Sequence, residues 1–183
     1  MPTCLSACRL CLLCLLFRLE IGNGGMTTVE YQTHFSLWAL TKAPLIIGCD
    51  VRSISADTLR ILSNKEVIAL NRDALGVQGH LISNTSNNGT VELWAVPLAS
   101  GATAALVLNT GAKDVLSYQL NFADVGAAEC SDPRDLWAHA DIGESHKSIY
   151  VAVPSHGVKL ILLTPCTKTA SRTHRHQAIE LTE

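Results

Sequence analysis

At 183 residues the chain has room for one domain or a domain and a half, and 48% hydrophobic with 16% charged residues exclude a disordered chain. A formal net charge of -2 provides no basic field for nucleic acid or anionic lipid, so neither is expected as a partner.

The first eighteen residues differ in character from the rest. Cys4, Cys8, Cys11 and Cys14 crowd the start, while Cys49, Cys130 and Cys166 are far apart. Cys8, Cys11 and Cys14 recur every three residues, but with Leu and Phe as neighbours and no histidine or carboxylate among them, no metal site is expected. Leu10 to Phe17 after Arg9 has the length of a secretory apolar core and is too short to span a bilayer. Only a weak cleavage site follows, at Gly22 and Gly24. Residues 1–18 therefore read as a leader unrelated to the fold, with a poor signal peptide as the alternative.

From Leu19 the pattern is that of a folded protein. Leu19 to Ile21 reads as the end of a strand, and Gly22-Asn23-Gly24-Gly25 as a loop whose residues can take positive φ. Thr27 or Thr28 can cap a helix with Glu30 in its first turn, and Tyr31, Phe35, Trp38 and Ala39 share one face of it. Pro44 ends that helix, and Leu45-Ile46-Ile47-Gly48 is an apolar run of the kind found in buried parallel strands. Ser55 then caps a helix over Ala56 to Leu62, and Asn64 caps another from Lys65 to Leu70. The order β, α, β, α implies a parallel sheet flanked by helices.

The helical period stops at Asp73 to Gly79, where the domain boundary is placed. Short β-rich runs follow at Val91 to Val96, Ala102 to Leu108, Val115 to Phe122, Leu136 to Ala138, Ile149 to Val153 and Val158 to Leu163. Turns separate them at Ser86 to Gly89, Ser100-Gly101 and Pro154 to Gly157, the mark of an antiparallel sandwich or barrel. The stretch from Thr167 to Glu183 is polar and reads as a disordered tail, with His174 and His176 lacking a third metal ligand nearby. The division is thus a leader at 1–18, a β/α part at 19–78, an antiparallel β-sandwich at 79–166 and a tail at 167–183.

Three runs of residues resemble the C-terminal third of the melibiase group, the α-galactosidases of glycoside hydrolase family 27. The first is Leu19-Glu20-Ile21-Gly22-Asn23-Gly24-Gly25-Met26-Thr27, continued by Glu30-Tyr31, His34-Phe35-Ser36, Trp38-Ala39, Lys42-Ala43-Pro44-Leu45 and Ile47-Gly48-Cys49-Asp50-Val51-Arg52. The second is Ile61 to Asn71 with Leu75-Gly76-Val77-Gln78-Gly79. The third is Arg134-Asp135-Leu136-Trp137, with Val153-Pro154, Ser155-His156-Gly157-Val158 and Leu163-Thr164-Pro165. All three occur in order, and the resemblance covers roughly Leu19 to Pro165.

The resemblance implies a fold class: an α/β remnant, the last two β/α units of a TIM-type barrel, followed by an all-β antiparallel sandwich domain. It implies exo-α-galactosidase chemistry by double displacement, for which two carboxyl groups stand about 5 to 5.5 Å apart. In the family both catalytic aspartates lie upstream of the Gly-Asn-Gly-Gly segment, and the Asp-Pro-Asp-Met that precedes Leu19-Glu20 is here Leu15, Leu16, Phe17 and Arg18. The expectation is an inert fragment or truncated gene product with no catalytic, substrate-binding or metal residues and no cofactor. Its full-length relatives act on α-galactosides and are secreted, lysosomal or vacuolar.

Alternatives remain: an α-N-acetylgalactosaminidase or β-arabinopyranosidase of the same fold, or a non-catalytic carbohydrate-binding sandwich. Trp94 and Trp137 sit in strand-like runs that favour core packing over a sugar platform. Asp50 and Arg52 read as a loop-bracing ion pair, Asp73 and Asp135 as solvated carboxylates, His34 as a packing or surface residue, His156 as a turn residue and Cys49 as a small apolar side chain. Asn84-Thr85-Ser86 and Asn88-Gly89-Thr90 satisfy the N-glycosylation pattern, with acceptors Asn84 and Asn88. Two barrel strands without their six neighbours predict a looser segment at 19–70 than at 79–165.

Overall fold

The computed structural model describes residues 18–86 and 89–166. The leader cysteines, Asn88, His174 and His176 lie outside the described residues.

Local signals set the helices. Helix α1 (Thr28–Leu40) starts at a capping box in which Thr27 accepts from the Glu30 N–H and Glu30 accepts from the Thr27 N–H. It stops where Lys42 turns to φ 59 ahead of Pro44. Helix α2 (Ala56–Leu62) is capped by Ser55, which accepts from the Thr58 N–H. Helix α3 (Lys65–Asn71) is capped by Asn64, whose oxygen accepts from the Glu66 and Val67 N–H groups. The Asn64 amide also donates to the Leu136 carbonyl at 3.0 Å, so one buried side chain starts a helix and anchors it to the β region.

The β region contains β1 (His80–Ser86), β2 (Val91–Pro97), β3 (Thr103–Asn109), β4 (Val115–Asn121), β5 (Cys130–Asp135), β6 (Ala140–Asp141), β7 (Ser145–His146), β8 (Ser148–Val153) and β9 (Val158–Pro165). The main sheet runs β1-β2-β3-β9-β5-β6, with β7 also on β5, and every pair in it is antiparallel. Strands β4 and β8 form a separate antiparallel pair.

The main sheet is covered on both faces, which explains why β3 is buried at every position. Ala104, Leu106, Leu108, Val158 and Leu160 point to the helices, where they join Leu19, Ile21, Phe35, Leu40, Ile61 and Val67. Ala105, Val107, Ile161 and Leu163 point the other way, to Leu120, Phe122, Ile149, Val151 and Val153 of the β4–β8 layer. Side chains alternate across a strand, so one central strand serves two cores. Truncating a fully buried leucine such as Leu106 or Leu160 to alanine would cost about 2–5 kcal/mol.

Two expectations need correction, and strand β1 has no counterpart among the expected runs. The run at Leu136 to Ala138 is a turn, and the strand there is β5, just upstream. Pro133 and three charged residues give β5 no apolar alternation, so its pairing with β9 and not its propensity makes it a strand. Strand β1, which pairs with β2 through register shifts, was hidden behind polar residues. Finally, Leu45 to Ile47 is not a buried strand. Among the described residues only the parallel bridge Leu19–Ile47 forms there, and Ile46 and Ile47 are 57% and 47% exposed.

Candidate functional site

In an α/β barrel, chemistry collects where parallel strands end, so the candidate site is the ground beyond Leu19–Ile21 and Leu45–Ile47. The Leu19 N–H donates to the Ile46 carbonyl at 2.8 Å, which sets the two segments side by side. Gly48 makes this approach possible: a Cβ there would stand 2.5 Å from the Leu19 carbonyl oxygen. Gly22 does the same for the loop after the first segment, with φ 88 and an imagined Cβ 2.9 Å from the Thr58 methyl group.

The polar groups of this mouth hold one another. Asn23 donates its amide to a Glu20 carboxylate oxygen at 2.8 Å, and the Gly24 N–H donates to the Tyr31 hydroxyl at 2.7 Å. Arg52 meets Asp50 through two bonds, Nε to Oδ1 at 2.9 Å and Nη2 to Oδ2 at 2.7 Å, while Asp50 also accepts from the Arg52 N–H. The Arg52 hydrogen bonds hold the Asp50 carboxyl below the ordinary carboxylate range, and Asp50 in turn raises Arg52. A carboxylate kept ionised in this way cannot donate the proton that a leaving sugar oxygen requires.

His34 lies beneath the mouth. Its Nε2 accepts from the Glu20 N–H at 3.3 Å and its ring stacks on Trp38 with centroids 4.1 Å apart. Burial pushes its pKa down to about 4, with the Glu20 charge pulling weakly upward. The imidazole is therefore a neutral acceptor at neutral pH, which places it as packing support for the first segment.

Comparison with known proteins gives this geometry its family. A model described as "Alpha galactosidase A" matches residues 17–73, and one described as "Alpha galactosidase C-terminal beta sandwich domain" matches residues 88–163. An α-galactosidase from Coffea arabica is 46% identical over 149 residues, and one from Oryza sativa subsp. japonica is also 46% identical over 149. The chain belongs to the melibiase family. The matched region takes in 80% of this chain but 38% and 34% of those two relatives, so the chain spans little more than a third of their length. The crystal structure of α-galactosidase I from Mortierella vinacea superposes with a TM-score of 0.76 at 32% identity, covering 81% of this chain and 38% of that one. The fold is the α/β end of a melibiase barrel joined to the family's antiparallel sandwich.

Within this melibiase frame the singled-out residues fall into groups. Asp50 and Arg52 are the expected loop-bracing pair. His156 sits in a turn at φ 55, and its carbonyl accepts from the Thr33 hydroxyl at 2.9 Å, which ties the β8–β9 turn to α1. Trp137 donates its indole N–H to Ser36 at 2.8 Å and lies edge-on to Phe35, while Trp94 donates to Glu92 at 3.0 Å. Both tryptophans pack against the helix-side core and are not laid out as a sugar platform. Cys49 is half-buried against Gly22, and Asn84 lies on β1.

Asp73 and Asp135 depart from expectation because their partners are distant in sequence. Asp73 accepts from the Ala99 N–H with both oxygens, at 3.1 and 3.2 Å, and so ties the end of the helical part to the β2–β3 turn. Asp135 is 5% exposed and takes Lys159 Nζ at 2.7 Å, with the Trp137 and Ala138 N–H groups on its other oxygen. Burial pushes its pKa up, but the Lys159 and backbone hydrogen bonds outweigh burial and hold it below the usual range.

Two further features were not read from the sequence. Cys130 and Cys166 form a disulfide that joins β5 to the end of β9. Arg134 collects Glu66, Asp141 and the His139 carbonyl into one network. The only available signal for the first was that these two cysteines flank the third matched run.

Proposed function

We propose that this chain is the C-terminal part of a retaining exo-α-galactosidase that releases terminal α-linked galactose from oligosaccharides and glycoconjugates. The observation that carries the reading is the pair of α-galactosidase family models matched in order, one on each half of the chain. Its contribution to such an enzyme is structural. The Leu19–Ile47 bridge supplies the last strand-to-strand contact of a closing barrel, and exposed Ile46, Ile47 and Val51 offer the apolar surface on which further barrel strands would pack. Both catalytic carboxyl groups belong to upstream barrel segments, so the chain alone is inert.

The natural setting is an oxidising, secretory or vacuolar one. The Cys130–Cys166 disulfide supports this, as do the acceptor patterns at Asn84 and Asn88. No helix among the described residues is long and apolar enough to cross a membrane.

Two assays on nitrophenyl α-galactoside test the reading. The purified chain should give no turnover above a buffer blank. A chimera carrying the upstream barrel of the Coffea arabica relative, joined at Leu19, should hydrolyse the substrate. A folded but inactive chimera, or turnover by the chain alone, would sink the reading.

A further inference from the structure

Strand pairing brings four metal-ligating side chains to one corner of the sheet. In the β5–β7 ladder Cys130 stands directly opposite His146, and the Cys166 N–H donates to the Cys130 carbonyl at 3.1 Å. Cys130 Sγ, Cys166 Sγ and a Glu144 carboxylate oxygen all lie within 4.8 Å of one another. His146 Nε2 is 3.8 Å from Cys130 Sγ and 3.4 Å from Glu144 Oε1. We propose that when the Cys130–Cys166 disulfide is reduced, Cys130, Cys166, His146 and Glu144 form a binding site for a zinc-like divalent cation.

Two edges already have the spacing of a tetrahedral ion, and the two sulfurs, bonded to each other in the disulfide, must separate to ~3.8 Å once it is reduced. With ordinary zinc–ligand bond lengths, a sulfur and a nitrogen on one ion stand ~3.6 Å apart, and a nitrogen and an oxygen ~3.4 Å apart. The observed 3.8 and 3.4 Å are close to those edges and longer than a strong charge-assisted hydrogen bond. Two thiolates with an imidazole and a carboxylate are a borderline-soft donor set, suited to zinc over magnesium or calcium. Three of the four ligands sit on paired strands or at the end of one, so the fold holds them without the disulfide: Cys130 on β5, His146 on β7 and Cys166 just past β9.

The electron balance is simple. A dithiol gives two electrons and two protons to the S–S bond and becomes a disulfide itself; a phosphine does the same with one water and leaves as its oxide. Cation binding then displaces the two thiol protons, so it tightens as pH rises. The corner thus alternates between a covalent clasp under oxidising conditions and a metal clasp under reducing ones.

The test uses the full chain with Cys4, Cys8, Cys11 and Cys14 changed to serine, reduced with a trialkylphosphine and titrated anaerobically with Co2+, then Zn2+. Cobalt should bind one per chain, with the visible d–d bands of a four-coordinate site and near-UV thiolate-to-metal charge transfer, and zinc should bleach both. Cys130→Ser should remove at least half of the charge transfer, since only the Cys166 thiolate is left to supply it. The exposed His146→Ala change should weaken binding more than about 10-fold while the circular dichroism of the protein stays the same. Binding untouched by both changes, no stoichiometric binding, or reduced protein that unfolds and is not restored by metal would each overturn the proposal.

Discussion

Arg134 on β5 grips Glu66 on α3 with two parallel bonds, Nε to Oε2 at 2.7 Å and Nη2 to Oε1 at 3.0 Å. The same guanidinium reaches Asp141 at 2.7 Å and the His139 carbonyl at 3.1 Å, while His139 Nδ1 lies 2.6 Å from Glu66. A planar fork that meets a carboxylate at both oxygens fixes orientation as well as distance. The pair therefore sets the angle at which the helical part lies on the sheet, near the point where the Asn64 amide binds Leu136.

Replacing Glu66 with glutamine keeps the shape and removes the charge. Both side chains are about a third exposed, so solvent screens part of the attraction, and the expected loss is about 1–2 kcal/mol, between an open surface pair and a buried one. Arg134→Lys should lose a similar amount because an ammonium cannot make the double contact. The Arg134 hydrogen bonds lower the Glu66 pKa from 4.5. Its contribution is therefore full above the unfolded value and is lost as pH falls below 4.5 through the folded value. Urea unfolding of wild type and E66Q at pH 7 and pH 3.5 checks this: the gap between the two should be narrower at the lower pH.

His34 gives the opposite kind of test. Its folded pKa of about 4 lies below the ordinary 6.5, so the unfolded chain takes the proton more readily. The neutral ring costs nothing above pH 6.5, and stability falls as pH drops from 6.5 towards 4, by at most about 3 kcal/mol and by less once solvent at its partly exposed edge screens the charge. His34→Gln should flatten the stability profile over that window, as followed by urea midpoints. An unchanged slope would show that another group titrates there.

Much of this was legible because the signals were local. Thr27, Ser55 and Asn64 cap the three expected helices, and Val91, Thr103, Val115, Ser148 and Val158 open strands close to where apolar runs begin. What escaped notice depended on contacts between distant residues. Asp135 resembles any surface carboxylate until Lys159 of β9 is set beside it, and β5 contains a proline and three charges that no local pattern would make a strand. Likewise Leu45 to Ile47 has the composition of a buried strand, but composition is silent about whether neighbours are present to bury it. At the candidate site the bracing roles of Asp50 and Arg52 were implied by the family resemblance, whereas His34 needed the Glu20 N–H brought across the gap from the preceding segment.

Gly48→Ala probes the bridge between the two barrel segments. The added methyl carbon would stand 2.5 Å from the Leu19 carbonyl oxygen and 3.0 Å from the Arg18 Cβ, and the first of these contacts is to backbone that cannot swing away. The cost should be about 1–3 kcal/mol, as for overpacking elsewhere. Amide exchange should show the Leu19 N–H, which donates to Ile46, losing protection, while β3 and β9 keep theirs.

The last prediction concerns the strength of the helical part as a whole. Two barrel strands alone predict a loose segment at 19–70; within it Ile46 and Ile47 are exposed, and among the described residues a single bridge pairs Ile47 with Leu19. Helix α1 is in a different position. Phe35, Ala39 and Leu40 are at most 1% exposed, and they share one core with Leu106 and Leu160 of the two central strands. The Thr33 hydroxyl and the Trp137 indole add hydrogen bonds between helix and sheet region, and opening α1 would expose one whole face of the sheet. Local opening free energies follow such buried contacts, so α1 should open together with the sheet and not before it. In native-state hydrogen exchange the amides of Phe35 to Leu40 should be protected to the same free energy as those of Leu106 and Leu160, with Ile46 and Ile47 exchanging far faster. If α1 exchanged as fast as Leu45 to Gly48, the shared core would contribute little, and the sandwich alone would be the stable unit.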